Sequence, residues 1–245
     1  SQGVTATANA EKILHSARAL LTYATDLQSE IVTEGDSISG ELKLGSFSTL
    51  ASSILPRLVH AFSTNFPEIQ LKIQEGTQVD LLAGLNSGEL ELALLYDLDL
   101  PNYIEKTKLM ELTPHVVLPK KHRLSTQDEI DIVELANEPF ILLDVPPSRE
   151  YFLGLFKEAG LSPKVVHSSP SLELVRGLVG YGLGFSLLVT RPVSDLTYDG
   201  QQLVIKPLRS NLNNSLIILA RHKDLRPTKL MKRFNDLAQE VVGAA

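Results

Sequence analysis

Strand-like and helix-like patterns alternate along the chain from residue 40 onward, and this alternation limits the possible folds more than any other feature. Leu42 and Leu44 alternate with charged residues, which predicts a short strand. The chain is then predicted to turn through Gly45 and Ser46 and to enter a helix near Leu50. A strand, a tight polar turn and a helix start are the parts from which open α/β sheets build small-molecule sites.

Two hydroxyl-bearing helix starts follow from this pattern. Ser48 or Thr49 is predicted to cap the first helix, and Thr77, with Asp80 three residues later, resembles a capping box at the next. The apolar run 91–96 predicts a buried parallel strand, which completes a βαβαβ unit. Crossovers of this kind bring both helix starts to one carboxyl edge of the sheet, where helix N–H groups favour an anion or a carbonyl oxygen. The alternative is that Ser46, Ser48 and Thr49 only cap the first helix.

A second α/β block contains two further polar strand ends. A strand at 140–143 leads into the turn 144–149, where Arg149 could pair with a ligand carboxylate or remain a solvated helix-start residue. Ser168 and Ser169, followed by a proline, predict another helix start. This block therefore offers a second set of candidate ligand contacts.

The order of the blocks predicts two lobes. The second block begins after residue 119, and the chain could return to the first block after about residue 212. That path would form a cleft lined by loops at the strand ends of both lobes. The glycine run 180–184 follows a helix and precedes a strand, so it is interpreted as a helix end and not as a dinucleotide-binding motif.

Residues 8–34 are predicted to form one long helix with a narrow apolar seam. The seam residues are spaced 4, 3, 4, 3 and 4 apart, which is the period of a coiled coil. A stripe this narrow could lie on the body of its own domain or pair with the same helix of a second chain, and pairing is preferred. The seam consists of Ile13, Ala17, Leu20, Ala24, Leu27 and Ile31.

Composition excludes several classes of function. The 245 residues contain no cysteine, which removes thiolate catalysis, Cys-ligated zinc and cysteine-based redox sensing and fits a reducing cytoplasm. The net charge of −6 argues against a broad nucleic-acid-binding face. The six histidines show no metal-ligand spacing, and no nucleophile–base–acid set is recognisable. No metal, cofactor or catalytic activity is therefore predicted, and no apolar run reaches membrane-spanning length.

Several short motifs occur in an order that resembles one known family, the LysR-type transcriptional regulators. Gly-Glu-Leu-Lys-Leu-Gly resembles the start of that family's effector domain, and Gly-Tyr-Gly-Leu-Gly-Phe resembles its late glycine run. The residues before the first of these motifs resemble the end of the family's winged helix-turn-helix and its linker helix. The matching segments are 3–11, 40–45, 75–77, 87–94, 118–124 and 179–185.

This resemblance implies an α/β fold with two Rossmann-like subdomains and a central cleft, preceded by a linker helix. Subdomain I would comprise 40–118 and 213–245, subdomain II would comprise 119–212, and 1–39 would hold the end of the wing and the linker helix. A small effector would bind in the cleft without catalysis. Its implied contacts are Ser46, Ser48, Thr49, Thr77, Val145, Ser148, Arg149, Ser168, Ser169 and Phe185.

The resemblance also implies partners. DNA would be bound by an N-terminal domain that is missing from this chain, and the protein would be a cytoplasmic homodimer or homotetramer. The hydroxyl-rich turns favour a carboxylate or another oxyanion as effector. Two alternatives remain open at this point. One is a free-standing solute-binding protein of the same two-lobed fold, and the other is a small α/β enzyme.

Overall fold

A computed structural model describes residues 7, 10, 13–14, 16–24, 39–209 and 214–243. Its strands are β1 (Gly40–Phe47), β2 (Ile69–Gly76), β3 (Leu92–Tyr96), β4 (Ile104–Leu112), β5 (His115–Pro119), β6 (Ile130–Asp131), β7 (Pro139–Leu143), β8 (Lys164–Ser169), β9 (Ser186–Leu188), β10 (Leu203–Arg209) and β11 (Ser215–His222). A first helix, α1, is helical at residues 10, 13–14 and 16–24. The later helices are α2 (Ser48–Ser53), α3 (Leu55–Asn65), α4 (Gln78–Ser87), α5 (Ser148–Glu158), α6 (Leu172–Gly180) and α7 (Lys229–Gly243).

The chain divides into two compact units. Unit 1 comprises Ser1–Met110 and Leu216–Ala245, and unit 2 comprises Glu111–Ser215. Residues 111–118, which the sequence analysis assigns to subdomain I, therefore lie in unit 2. For residues 115–118 the physical reason is that β5 pairs with β9 and β10 in the sheet of that unit. The boundary between the units falls near the end of β4, whose last residue is Leu112.

Unit 1 is built on a five-stranded sheet in the order β2-β1-β3-β11-β4. Its first three strands run parallel, with Leu44 opposite Ile73 on one side and opposite Leu92 on the other. All five residues of β3 are buried, as expected for an apolar strand inside a sheet. The predicted βαβαβ unit is therefore confirmed, and β11 joins it antiparallel to β3.

The first strand–helix junction differs from its prediction. β1 continues through Gly45 and Ser46, which were predicted to turn, because both pair with β2 and β3. The N-cap of α2 is consequently Phe47, so the prediction that Ser48 or Thr49 caps this helix is wrong. The predicted single helix is also divided at Ile54, and Pro56 lies in the first turn of α3, where its missing N–H is tolerated.

Unit 2 contains a four-stranded sheet, β6-β10-β5-β9, and a parallel pair, β7-β8. A bridge between Phe140 and Phe185 joins the two sets of strands. These two rings stack with their centroids 5.0 Å apart, and Phe156 packs beside Phe140 at 5.5 Å. All three side chains are fully buried, so they form the aromatic centre of this unit.

Two local predictions in unit 2 need correction. Ser168 and Ser169 belong to β8, and α6 begins at Leu172 with Ser171 as its N-cap, because the Ser171 hydroxyl accepts from Leu174 N. The spacing of Ile130, Val133 and Leu135 also predicts a short helix, but these residues form a two-residue strand, Ile130–Asp131, followed by a 3-10 turn, Ile132–Leu135. The glycine run does end α6, as predicted, and Gly182 adopts a positive φ of 80°.

Helix α1 contacts the rest of unit 1 with one face and exposes its apolar seam. Arg18 donates to Ser87 O at 2.9 Å and to Glu89 at 3.0 Å, and the Tyr23 hydroxyl accepts from Arg226 N. The seam residues Ile13 and Leu20 are 69% and 68% exposed. Ala17 and Ala24 are also exposed, whereas Leu27 and Ile31 lie outside the described residues.

Candidate functional site

Three parallel strands of unit 1 end side by side, and hydrogen bonds tie their ends together. Ser48 Oγ, just after β1, donates to Gly76 O at the end of β2 over 3.3 Å. The Thr49 hydroxyl shares a 2.9 Å hydrogen bond with the hydroxyl of Tyr96, the last residue of β3. We call this group, together with Thr77 and Gln78 at the start of α4, the carboxyl edge of unit 1. Its five members are Ser48, Thr49, Thr77, Gln78 and Tyr96.

The two predicted serines at the β1 end differ in what they can reach. Ser46 is fully buried within the sheet, where its hydroxyl donates to Phe47 O at 3.4 Å. Ser48 is half-buried, and Thr49 is 4% exposed. The structure thus places Ser48 and Thr49 at the edge of the sheet and Ser46 inside it.

Thr77 forms the capping box that the sequence predicts. Its hydroxyl donates to Asp80 Oδ2 at 2.6 Å and accepts from Asp80 N at 3.3 Å, while Asp80 Oδ2 also accepts from Thr77 N. These hydrogen bonds hold the pKa of Asp80 below its usual value. The Thr77 hydroxyl is therefore already engaged, and an acidic side chain already occupies the first turn of α4.

Gln78 is a polar residue of this edge that the sequence analysis missed. Its side chain is buried, and Nε2 donates to Leu98 O, just beyond β3, over 2.6 Å. No donor among the described residues hydrogen-bonds to its Oε1 atom. The only sequence signal was its position directly after an N-cap at a strand end, and that position alone does not distinguish buried from exposed glutamine.

In unit 2, the turn after β7 is organised by an ion pair. Arg149 Nη1 lies 2.8 Å from Asp144 Oδ1. The hydrogen bond from Arg149, followed by one from Ser168, lowers the pKa of Asp144. Neither sequence interpretation of Arg149 included an internal carboxylate partner. A ligand carboxylate at this place would share the guanidinium with Asp144.

The remaining predicted contacts of unit 2 are divided between surface and interior. Ser168 is exposed, whereas Ser169 is buried and its hydroxyl accepts from Ser171 N at 3.1 Å. Val145 and Ser148 are buried where the turn enters α5. Phe185 lies in the aromatic centre, and its backbone bonds to β7 on both sides. The structure therefore gives Phe185 a packing role.

Unit 1 also contains a cavity of about 560 Å³ away from the carboxyl edge. It lies beneath α1, beside the first residues of β1 and the approach to β3. Arg18 and Lys43 line it, but so do Glu41, Glu89 and Glu91. The cavity therefore has mixed charge, and one of its two cationic side chains, Arg18, is already paired with Glu89.

The described part of the chain offers no group of three or more metal-ligating side chains. None of its described helices is long and apolar enough to cross a membrane.

Comparison with known proteins gives a family match over most of the chain. Residues 35–243 match the family described as LysR substrate binding domain. An uncharacterized HTH-type transcriptional regulator of Bacillus subtilis, YybE, is 29% identical over 71% of this chain and 60% of its own length. The chain thus spans little more than half the length of such relatives.

Solved structures resemble the chain closely. HinK, a LysR family transcriptional regulator from Pseudomonas aeruginosa, is 40% identical with a TM-score of 0.83, covering 98% of this chain and 82% of its own. The putative LysR family regulator PA01 from the same species is 42% identical with a TM-score of 0.82, covering 93% and 82%.

Two more distant structures were solved with small molecules. The effector binding domain of QuiR, in complex with shikimate, is 22% identical with a TM-score of 0.74, covering 84% of this chain and 98% of its own. The effector binding domain of BenM, with its effector benzoate, is 17% identical with a TM-score of 0.71, covering 83% and 92%. At these identities the likeness concerns the fold alone.

Proposed function

The chain belongs to the LysR family of transcriptional regulators, and from this premise we propose that it senses a small effector and controls DNA binding elsewhere in the same protein. It covers mainly the effector-binding domain of that family. The effector would bind without being chemically changed. The response would be a shift between two conformations, set by the difference in affinity of the effector for each.

The observation that carries this proposal is the carboxyl edge of unit 1. Three strand ends present hydroxyl and amide side chains, two of which donate to backbone carbonyls at this edge, while the Thr49 and Tyr96 hydroxyls bond to each other. Bonds between neighbouring strand ends fix the side chains in place, so a ligand would meet a preorganised polar surface. In open α/β sheets, ligands bind at the carboxyl ends of the strands.

We propose a small carboxylic acid as the effector. Shikimate and benzoate, bound by QuiR and BenM, are both carboxylic acids, and this supports the same class here. The Thr49 hydroxyl is able to donate to a carboxylate oxygen when Tyr96 is the donor of the hydrogen bond that they share, and the Ser48 hydroxyl is able to do so by exchanging its bond to Gly76 O for one to the ligand. We further propose that Arg149, in the turn 144–149 of unit 2, is able to bind a carboxylate group, a step that rests on the family resemblance.

The signal would leave unit 1 through α4 and α1. The start of α4 lies at the carboxyl edge, and the Ser87–Glu89 segment at its other end is held by Arg18 of α1. A helix of this length moves as a rigid element. A displacement at the start of α4 would therefore also move Ser87, whose carbonyl oxygen accepts from Arg18. Pairing of α1 with a second chain through its exposed seam would then carry the change to the DNA-binding domains.

A thermal-shift screen of small carboxylic acids tests the sensing function, with calorimetry to measure affinity. An acid at about 100 times its dissociation constant adds ~2.7 kcal/mol to the free energy of unfolding. In a chain of this size that raises Tm by roughly 5–10 °C. Thr49→Val removes one hydroxyl at nearly constant volume and is expected to weaken binding about tenfold.

Thr64→Val is the matched control. Thr64 is exposed on α3, and its hydroxyl donates to His60 O within the same helix. This variant should bind the acid with native affinity. Equal affinity of native protein and Thr49→Val would remove the carboxyl edge from the proposed site.

A further inference from the structure

The buried side chain of Gln78 has an acceptor atom that makes no hydrogen bond within the described residues. Its side chain is 5% exposed. A primary amide has two donor hydrogens and an acceptor oxygen with two lone pairs. Within the described residues, the Oε1 atom is buried without a hydrogen-bond partner. Buried polar atoms in native proteins are nearly always paired, so an unpaired one calls for a reason.

The orientation of this amide is fixed by its one hydrogen bond. Leu98 O lies 2.6 Å from Nε2, and a backbone carbonyl can only accept. Rotating the amide by 180° would bring Oε1 against that carbonyl oxygen. Oε1 must therefore be the unpaired atom, and what it needs is a donor.

The surroundings of Gln78 also favour a donor over an anion. The first turn of α4 already carries the Asp80 carboxylate, which accepts from both the backbone N–H and the hydroxyl of Thr77. This acidic group offsets the positive end of the helix, so a second anion there would be repelled. A hydroxyl or amino group placed beside Gln78 meets an acceptor and a nearby negative charge.

We propose that Gln78 is a specificity-determining residue that selects acids carrying a hydroxyl or amino group in addition to the carboxylate. This inference rests on the proposed function and deepens it, because it divides the effector into two parts. The carboxylate is bound by donors such as Ser48 and Thr49, and the hydroxyl or amino group donates to Gln78 Oε1. The proposed effector class is therefore hydroxy or amino acids of small size.

The test compares pairs of acids in which one member carries hydroxyl groups that the other lacks; the difference is one hydroxyl in the first two pairs and three in the last. Calorimetry measures the dissociation constants of lactate against propionate, 3-hydroxybenzoate against benzoate, and shikimate against cyclohex-1-ene-1-carboxylate. For each pair that binds the native protein, we expect the hydroxylated member to bind at least about tenfold more tightly, since the unhydroxylated member leaves Oε1 unpaired. Gln78→Met keeps the length of the side chain and removes the amide. In this variant, the ratio of the dissociation constants of the two members of a pair is expected to be close to one.

Gln70→Met is the control, because Gln70 is exposed on β2. It should keep the native ratio. Equal binding of both members of a pair by the native protein would overturn the inference, and so would a ratio that survives in Gln78→Met. The proposed function fails in a different way, namely when the native protein binds none of the acids.

A ligand-free measurement keeps the inference testable in that case as well. Without ligand, Gln78→Met loses the hydrogen bond to Leu98 O but also removes an unpaired buried acceptor. These two effects oppose each other, so its Tm should lie within about 4 °C of that of Gln70→Met. A larger fall would show that the amide is an ordinary structural group of unit 1, and it would overturn the selective role.

Discussion

At the scale of single residues, the environment of His115 in the folded protein shifts its pKa strongly. It lies on β5, in the sheet of unit 2, opposite Leu188 on β9 and Pro207 on β10. Burial, reinforced by the positive charges of Arg191 and Arg176, lowers its pKa from 6.5 to about 4. The folded protein therefore holds His115 neutral at a pH where the unfolded chain has already bound a proton.

This difference predicts acid sensitivity between pH 6.5 and about 4. In that window the unfolded state binds more protons, so the free energy of unfolding falls as pH falls, by up to about 3 kcal/mol from this residue. When urea unfolding is measured from pH 7 to pH 4, the free energy of unfolding of His115→Gln should decrease less steeply with falling pH than that of the native protein. His60→Gln, at an exposed histidine, should leave this decrease intact, and an unchanged slope in His115→Gln would contradict the assignment.

Residue roles were predictable from the sequence only where the partners are near in the chain. The Thr77–Asp80 capping box was predicted and confirmed, because its partners are three residues apart. Ser46, Gln78 and Phe185 depend on residues that only folding brings near. Ser46 lies in a sheet, Gln78 bonds to Leu98, and Phe185 packs on Phe140. Burial of this kind is decided by tertiary contacts that one sequence does not reveal.

At the scale of elements, alanine substitution at two glycines inside helices is expected to change the free energy of unfolding in opposite directions. A Cβ at Gly84 in α4 would lie 2.7 Å from Cδ1 and 2.9 Å from Cγ of the buried Leu90, so α4 needs this glycine to approach β3. A Cβ at Gly177 in α6 meets no described atom within 4 Å. Helix packing thus constrains the first glycine, and helix propensity alone governs the second.

Alanine at each position tests this distinction by urea unfolding. Gly84→Ala should lower the free energy of unfolding by about 1–3 kcal/mol, through overpacking. Gly177→Ala should raise it by about 0.5–1 kcal/mol, because alanine loses less backbone entropy in a helix. If both variants were stabilised, the close packing of α4 on Leu90 would be contradicted.

Helix α1 supplies a prediction about assembly. The exposed Leu20 lies on the seam, whereas Arg18 on another face is held by unit 1. If the seam pairs two chains, Leu20→Glu places two carboxylates in an apolar contact and should shift the protein toward monomer in sedimentation experiments.

Val133→Glu makes the same chemical change at an exposed apolar position of unit 2 and is the control for charge. It should leave the sedimentation coefficient unchanged. A native association state in Leu20→Glu would exclude the seam as the contact and would favour pairing through another surface.

The sequence predicted the presence of most helices and strands, but it predicted the residues at which they begin and end less well. Periodicity located β1, α4 and β3 because each contains several apolar residues in a regular pattern. The start of α6 was misplaced because Ser168, Ser169 and Ser171 are all plausible caps, and only the β7–β8 pairing shows that the first two continue the strand. The division between α2 and α3 depended on a single proline within a continuous apolar pattern.

At the scale of the whole molecule, the proposed function requires a ligand to bind at the carboxyl edge of unit 1 and not in the cavity beneath α1. The carboxyl edge of unit 1 has fixed polar groups and one unpaired acceptor. The cavity beneath α1 has a volume of about 560 Å³ but mixed charge, and its arginine is already paired. Composition and motif order predict effector sensing, whereas the choice between these two places depends on side-chain contacts that form only in the folded chain.

Amide hydrogen exchange, followed by mass spectrometry with and without an acid that stabilises the native protein, tests this most directly. Binding at the carboxyl edge predicts slower exchange at residues 47–50 and 76–80 and in the segment 96–98, because a bound ligand suppresses local opening. Slower exchange confined to the residues beneath α1, around Arg18 and Lys43, with no change at the three strand ends, would contradict the account.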